Sequence, residues 1–150
     1  MKRFPIGIQD FEKLREEQYL YVDKTRDMYD LVRSGSYFFL SRPRRFGKSL
    51  LLSTLKYFFL GRRDLFEDLW VDQYAQHEWE KHPVLHFSFS SSGYKDIGLE
   101  KALLRVLEDG ALENGVTLHA EGLSGRFREL LQALGSGERK VVLLIDEYDK

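Results

Sequence analysis

The sequence predicts an α/β fold in which helices flank a parallel β-sheet. The strongest indication is Val141–Ile145, five apolar residues in a row that suit a central parallel strand covered on both faces. A second apolar run, Tyr37–Leu40, is short, rich in aromatic residues and bounded by turn residues, which favours a strand over a buried helix. Segments with helical spacing of apolar residues lie between the two runs, and such alternation is typical of α/β proteins.

Two helices are predicted before the first strand. A short helix near Asp10–Glu17 and a longer one over about Thr25–Arg33 place apolar residues on one face. Asp23, or Thr25 itself, is expected to cap the second helix, because a short oxygen-bearing side chain can accept a hydrogen bond from a free backbone N–H. Gly35 is expected to end that helix as a glycine C-cap.

The elements after the first strand alternate in the same way. Irregular backbone is expected at Ser41–Gly47, and the helix Lys48–Leu60 that follows has a wide apolar face formed by Leu51, Leu52, Leu55, Phe58 and Phe59. The remaining predictions are one or two helical turns at Asp64–Trp70, a strand at Val84–Phe89, helices at about Leu99–Asn114 and Leu123–Leu134, and a loop at Gly135–Gly137.

Composition and charge exclude several classes of protein. Hydrophobic residues make up 43% and aromatic residues 14%, which fits one globular domain and argues against disorder. The net charge of −1 gives no overall attraction to nucleic acid or to an anionic membrane. The absence of cysteine excludes disulfides and cysteine-bound zinc. Because the most apolar stretch, Leu50–Leu60, is shorter than the ~20 residues of a membrane span, a cytoplasmic protein without membrane contact is expected.

A phosphate-binding loop is predicted between the first strand and the next helix, in the stretch S-R-P-R-R-F-G-K-S at 41–49. In such a loop, consecutive backbone N–H groups and the positive end of the helix dipole converge on a phosphate. Gly47 permits close approach of the backbone, Lys48 supplies a point charge for the outer phosphates, and the Ser49 hydroxyl can ligate Mg²⁺. The predicted nucleotide-binding residues are Pro43, Arg44, Arg45, Phe46, Gly47, Lys48, Ser49 and Leu50.

The loop departs from the general pattern G-x-x-x-x-G-K-[ST], because Arg42 stands at the first glycine position. One alternative is a basic surface turn before an ordinary helix. The cluster of Arg42, Arg44, Arg45 and Lys48 also fits contact with a nucleic-acid backbone, although a phosphate loop explains the same charges.

Acidic residues follow the last predicted strand, in the stretch V-V-L-L-I-D-E-Y-D at 141–149. Asp146 emerges at the carboxyl end of that strand, the edge at which open α/β sheets bind ligands, and it is predicted to hold Mg²⁺ directly or through water. Glu147 is predicted to orient or deprotonate an attacking water. The alternative is a core strand followed by an acidic turn. The order of the two motifs, each at the end of an apolar run, favours binding of a nucleotide with Mg²⁺.

The chain resembles the bacterial and archaeal AAA-ATPase-like proteins, P-loop NTPases that often carry a C-terminal nuclease-like domain of the PD-(D/E)XK superfamily. The resemblance rests on Pro5–Phe11, Tyr21–Thr25, Arg42–Leu50 and Leu144–Lys150, and so covers almost the whole chain. The loop R-P-R-R-F-G-K-S is highly specific to that family, which also lacks the first glycine. The resemblance implies ATP as the nucleotide, Lys48 on the phosphates, Ser49 and Asp146 on Mg²⁺, and Glu147 as the catalytic residue on the water.

The resemblance also implies which parts of the site lie elsewhere. In that branch of NTPases the sheet order is 5-1-4-3-2 and Asp146 would end strand 3, so strands 4 and 5, the polar sensor residue and any arginine finger are expected beyond Lys150. The chain is therefore expected to be the N-terminal portion of a longer protein, with an incomplete sheet and no nuclease activity of its own. Asp23 and Lys24 are candidates for contact with the base, with helix capping as the favoured alternative.

Three function classes follow. An ATP-hydrolysing motor or switch is favoured by Glu147, and a nucleotide-binding regulatory module with little turnover is favoured by the expected absence of downstream residues. A nucleic-acid-binding module built on the arginine cluster is the third, and nucleic acid is a partner that the rest of a longer protein could bind. The four histidines have no metal-site spacing.

Overall fold

The computed structural model of the protein describes residues 3–43, 45–75, 79–88 and 97–146. The chain divides into two compact units, Met1–Glu80 and Lys81–Lys150. The first unit contains the helices α1 (Phe11–Glu16), α2 (Thr25–Ser34), α3 (Lys48–Phe59) and α4 (Trp70–Tyr74), with a 3₁₀ turn at Arg63–Phe66 between the last two. The second contains β1 (Val84–Ser88), α5 (Leu99–Glu113), α6 (Gly122–Gly135) and β2 (Val142–Asp146).

Aromatic side chains form the core of the first unit. Phe11 of α1 and Phe66 of the 3₁₀ turn are completely buried, and their ring centroids are 4.7 Å apart. Phe58 of α3 lies 5.2 Å from Trp79, which in turn lies 5.1 Å from Phe66. Offset and edge-on aromatic contacts of this kind add specific geometry to the burial of large apolar surfaces. These contacts hold α3 in the first unit. The predicted phosphate-binding loop leads into the start of this helix.

The second unit is a parallel strand pair joined by a helical connection. β1 and β2 pair in register from Val84 opposite Val142 to Ser88 opposite Asp146. Parallel strands require a crossover, and here α5 and α6 lie in that connection. The core between strand and helices consists of Leu85, Phe87, Leu107, Ala111, Leu130 and Leu134.

Gly110 marks the closest approach of α5 to β1. A Cβ at this position would lie 2.9 Å from Cδ2 of the buried Leu85, closer than carbon atoms pack. The absence of a side chain therefore allows the helix to lie against the strand.

The prediction of a strand at Tyr37–Leu40 is wrong. The segment has no regular structure, and its side chains are exposed, with Tyr37 97% and Phe39 72% accessible. In the described part of the chain, β1 and β2 form the sheet. A strand is stable only when a neighbour takes its backbone hydrogen bonds, and an apolar sequence cannot supply that neighbour.

Three finer predictions also need correction. Gly35 has a φ of 175°, so it is extended and does not form the left-handed cap that was expected. The buried face of α3 includes Ser53, Thr54 and Tyr57, whereas Leu51, Leu52 and Phe59 are half-buried. In β2, Leu143 and Ile145 are 44% and 47% exposed, so one face of the strand is not covered as a central strand requires.

The other predicted elements are confirmed to within a few residues. They are the helices near 10–17, 25–33, 48–60, 99–114 and 123–134, the helical turns after 63, and the strands at 84–89 and 141–145, of which Phe89 lies outside the described residues. Gly135, predicted to lie in a loop, is instead the last residue of α6. Within the residues that the structure describes, no helix has both the length and the apolar character that crossing a bilayer would demand.

Candidate functional site

The predicted phosphate loop lies in the first unit and ends in a left-handed glycine. Gly47 has φ +76° and ψ 19°, and a Cβ there would meet no atom within 4 Å. Glycine is therefore favoured by the backbone conformation and not by crowding from the residues that the structure describes. The space beside Gly47 stays open for a group that approaches the backbone.

Lys48 folds back over the loop that precedes it. Its Nζ donates a hydrogen bond to the carbonyl oxygen of Arg42 and lies 3.5 Å from the carbonyl oxygen of Pro43. The ammonium group is thus held on the same side of α3 as the loop. A cation at this place adds to the electrostatic attraction that the helix start exerts on an anion.

The N-terminus of α3 offers free backbone donors. The first backbone hydrogen bond of the helix runs from Leu51 N–H to the Gly47 carbonyl at 2.9 Å, so the N–H groups of Lys48, Ser49 and Leu50 have no intrahelical acceptor. The N-cap residue of this 12-residue helix is Gly47, and within the described ranges no side chain caps the helix start. Donors, dipole and lysine together fit a phosphate group, and the Ser49 hydroxyl in the first turn is an oxygen ligand of the kind that Mg²⁺ takes.

Asp146 lies in the second unit, as the last residue of β2. It is opposite Ser88 of β1 in the register and is 6% exposed. A carboxylate at the carboxyl end of a parallel strand fits the predicted magnesium-side residue. Across 3–43, 45–75, 79–88 and 97–146, no group of three or more acidic or histidine side chains could hold a metal ion. Mg²⁺ bound with a nucleotide needs one or two carboxylates besides phosphate and water. Glu147 and Arg44 lie outside the described residues.

Asp23 accepts hydrogen bonds at the starts of two helices, although the N-cap positions themselves are Lys24 and Leu69 and not the predicted Asp23 or Thr25. One carboxylate oxygen accepts hydrogen bonds from Thr25 N–H at 2.8 Å and from the Thr25 hydroxyl at 2.7 Å, and the other accepts from Trp70 N–H at 2.7 Å. Burial opposes the charge, but these bonds outweigh it and lower the pKa of Asp23. Both oxygens are engaged within the first unit, which supports capping over contact with a base.

Asp10 and Ser53 connect α1 to α3, a role that the sequence did not reveal. Asp10 accepts a hydrogen bond from Lys13 N–H at 2.8 Å, and its other oxygen accepts from the Ser53 hydroxyl at 3.2 Å. Ser53 in turn accepts from the buried Phe11 N–H at 2.8 Å. The signal in the sequence was a serine inside an otherwise largely apolar helix.

A second set of polar contacts holds the segment after α3. Arg15 donates to the carbonyl oxygens of Leu65 and Glu67, both at 2.7 Å. Arg62 pairs with Glu12 at 2.5 Å and with Asp64 at 2.8 Å, and its hydrogen bonds lower the pKa of Asp64. Side chains of α1 therefore hold the segment that follows α3.

Comparison with known proteins shows the family to which the chain belongs. The family model described as "Predicted AAA-ATPase" matches residues 5–150. The chain is 43% identical over 153 residues to an uncharacterized protein in the vnfD 5' region of Azotobacter chroococcum mcd 1, with 99% of the chain covered. It spans about 29% of the length of that relative. No solved structure matches the chain. On the family match and this identity, the chain belongs to the predicted AAA-ATPase family.

Proposed function

We propose that the chain binds ATP together with Mg²⁺ through the loop Pro43–Leu50 and hydrolyses the nucleotide as a motor or switch. The observation that carries the proposal is the start of α3, where Lys48 lies over the loop carbonyls and no described side chain caps the helix N–H groups. Family membership supports a nucleotide in general terms. ATP itself, the metal and the turnover are the proposed parts.

In this proposal the loop holds the phosphates by main-chain and side-chain donors. The free N–H groups of Lys48, Ser49 and Leu50 are the main-chain donors, and the Lys48 ammonium is the mobile one. Its present acceptors are neutral carbonyl oxygens. A phosphate oxygen is a stronger acceptor, because charge-assisted hydrogen bonds are roughly twice as strong as neutral ones. Lys48 can therefore exchange one set of acceptors for the other.

The hard oxygen ligands proposed for Mg²⁺ are the Ser49 hydroxyl and the Asp146 carboxylate. A bound Mg²⁺ would offset negative charge on phosphate oxygens. Glu147 is the proposed general base for water, a role that a carboxylate next to a metal-binding aspartate can fill. If Glu147 lacks that role, the same loop would serve the alternative function, a regulatory module that binds nucleotide with little turnover.

A titration of the chain with a fluorescent ATP analogue tests the binding site. We expect saturable binding with Mg²⁺, loss of binding in Lys48→Ala, and weaker binding in Asp146→Ala that no longer depends on Mg²⁺. Binding that Lys48→Ala leaves intact would show that the loop is not the site.

A pair of glycine variants provides a matched control for the loop. Gly7 and Gly47 have φ of +75° and +76°, and neither has an atom within 4 Å of an added Cβ. Gly7→Ala and Gly47→Ala should therefore cost similar stability, about 1 kcal/mol each. Only Gly47→Ala should weaken binding of the ATP analogue, because only the strain of an alanine at position 47 lies in the phosphate loop. Equal affinities in the two variants would contradict the assignment.

Release of inorganic phosphate separates the two function classes. We expect turnover by the unaltered chain, and Glu147→Gln that binds the analogue normally but turns over at least about 100-fold more slowly, the typical contribution of general-base catalysis. Normal binding without turnover by the unaltered chain would favour the regulatory alternative.

A further inference from the structure

Arg45 has a backbone conformation that arginine disfavours. Its φ is +66°, in the left-handed region where the Cβ of an L-residue crowds the following carbonyl oxygen. Glycine adopts this conformation freely, and asparagine and aspartate tolerate it. An arginine at such a position needs a reason, either in the local backbone or in its side chain.

The other residues of this kind have a local explanation. Among the described non-glycine residues, Gln18 and Asp68 also have positive φ, of 55° and 65°. Gln18 follows α1, where Tyr19 N–H donates to the Leu14 carbonyl at 3.0 Å and closes the helix end. Asp68 is of a residue type that tolerates the conformation. Arg45 lies before α3, not after a helix, and arginine is not among the residue types that favour the conformation.

The side chain of Arg45 is available to a ligand. Arg45 is exposed, and it makes no hydrogen bond, ion pair or ring contact with any residue in the described ranges. Lys48, by contrast, donates to carbonyls of the loop. The side chain of Arg42 likewise has no partner in the described part of the chain, but the φ of Arg42 is not positive. Exposure and charge are common to both arginines, and the backbone conformation singles out Arg45.

We propose that the Arg45 guanidinium is itself a phosphate ligand, a second cationic side chain of the loop beside Lys48. The guanidinium is always charged and presents its N–H groups in a planar fork that matches phosphate oxygens. The presence of an arginine where glycine would relieve the backbone is explained if the side chain binds a ligand. The inference rests on the proposed function and assigns a side-chain role at a position otherwise treated as main-chain cradle.

The test compares Arg45→Gly with Arg45→Lys and with Arg42→Ala. Arg45→Gly removes the guanidinium and relieves the backbone, so its urea midpoint should be unchanged or higher. Its affinity for the ATP analogue with Mg²⁺ should fall by at least about tenfold, or about 1.4 kcal/mol. Arg45→Lys should retain part of the affinity, because lysine keeps the charge without the fork. Arg42→Ala removes the same charge from the same loop and should lose less than about threefold.

Competition by inorganic tripolyphosphate shows where the lost contact lies. This probe has no base or ribose, so its affinity should fall by the same factor in Arg45→Gly if the guanidinium binds phosphate. Unchanged affinity in Arg45→Gly, or equal losses in Arg45→Gly and Arg42→Ala, would overturn the inference while the proposed function stands. Failure of the unaltered chain to bind nucleotide would overturn both.

Discussion

A single aspartate shows how the short motif Tyr21–Thr25 acts in this fold. The carboxylate of Asp23 accepts hydrogen bonds at the start of α2 and from the first residue of α4. The hydroxyl of Thr25, a completely buried residue, accepts from Val71 N–H at 3.1 Å. The starts of α2 and α4 would otherwise leave these backbone donors unpaired. Two side chains that are two residues apart in the sequence thus supply the acceptors for both helices.

Substitution of Asp23 should therefore destabilise the protein. Asp23→Asn retains one acceptor oxygen but places an amide NH₂ against a backbone N–H. We expect the free energy of unfolding to fall by about 1 kcal/mol, the typical value of a lost cap, measured by urea unfolding at pH 7. Asp30→Asn, an exposed position within α2, is the control and should have an effect within about 0.5 kcal/mol.

The effect of Asp23→Asn should depend on pH in a defined direction. Because the folded-state pKa of Asp23 is lowered, its contribution to stability is fully present above the unfolded pKa of about 4 and is lost as pH falls through the folded value. The difference in the free energy of unfolding between the unaltered chain and Asp23→Asn should therefore become smaller in acid. A gap that is the same at pH 7 and at about pH 2 would show that ionisation of this carboxylate is not responsible.

At the scale of elements, α3 shows what an apolar pattern leaves undecided. The helix was predicted from its leucines and phenylalanines, yet its buried face includes Ser53 and Tyr57. Ser53 takes the Phe11 N–H of α1, and the Tyr57 hydroxyl donates to Glu12 at 2.9 Å. A polar side chain can be buried when a neighbouring element satisfies it, and the periodicity of one helix contains no information about that neighbour.

Removal of the Ser53 hydroxyl should weaken the contact between α1 and α3. In Ser53→Ala the buried Phe11 N–H loses its acceptor, and we expect a loss of about 1–3 kcal/mol in the free energy of unfolding. Faster hydrogen exchange at the Phe11 amide would localise the change. Tyr57→Phe is the comparison: it leaves carboxylates that water can reach, so it should cost less than Ser53→Ala. The reverse ranking would show that the Ser53 bond is not the main connection.

At the scale of the whole molecule, ligand binding should raise the stability of the folded chain. A ligand that binds only the folded chain adds about 2.7 kcal/mol at a free concentration of 100 times its Kd. For a chain of 150 residues this corresponds to a rise of about 5–10 °C in the thermal midpoint. We expect that rise with ATP and Mg²⁺, measured by scanning calorimetry.

Two controls make the thermal experiment specific. The rise should disappear in Lys48→Ala, and it should shrink when EDTA removes Mg²⁺, because the proposed site binds nucleotide and metal together. An equal rise in Lys48→Ala would indicate that ATP binds elsewhere on the protein.

The sequence by itself determined the class of fold, most helix boundaries and the place of the candidate loop. Local rules suffice for these features: apolar spacing predicted the helices, the run Val141–Ile145 predicted β2, and Gly47-Lys48-Ser49 predicted a helix start suited to phosphate. Asp146 was likewise placed at the end of its strand by the length of the apolar run alone. The motifs also carried the resemblance to the family that the comparisons then showed.

Tertiary structure decided everything that depends on a partner distant in sequence. It left Tyr37–Leu40 without a strand, paired β1 with β2, and gave Asp10 and Ser53 their role between helices. It also revealed the positive φ of Arg45, which an arginine in the sequence does not suggest. Propensity and periodicity describe one segment at a time, whereas strand pairing, burial of polar groups and backbone strain are set by the segments that surround it.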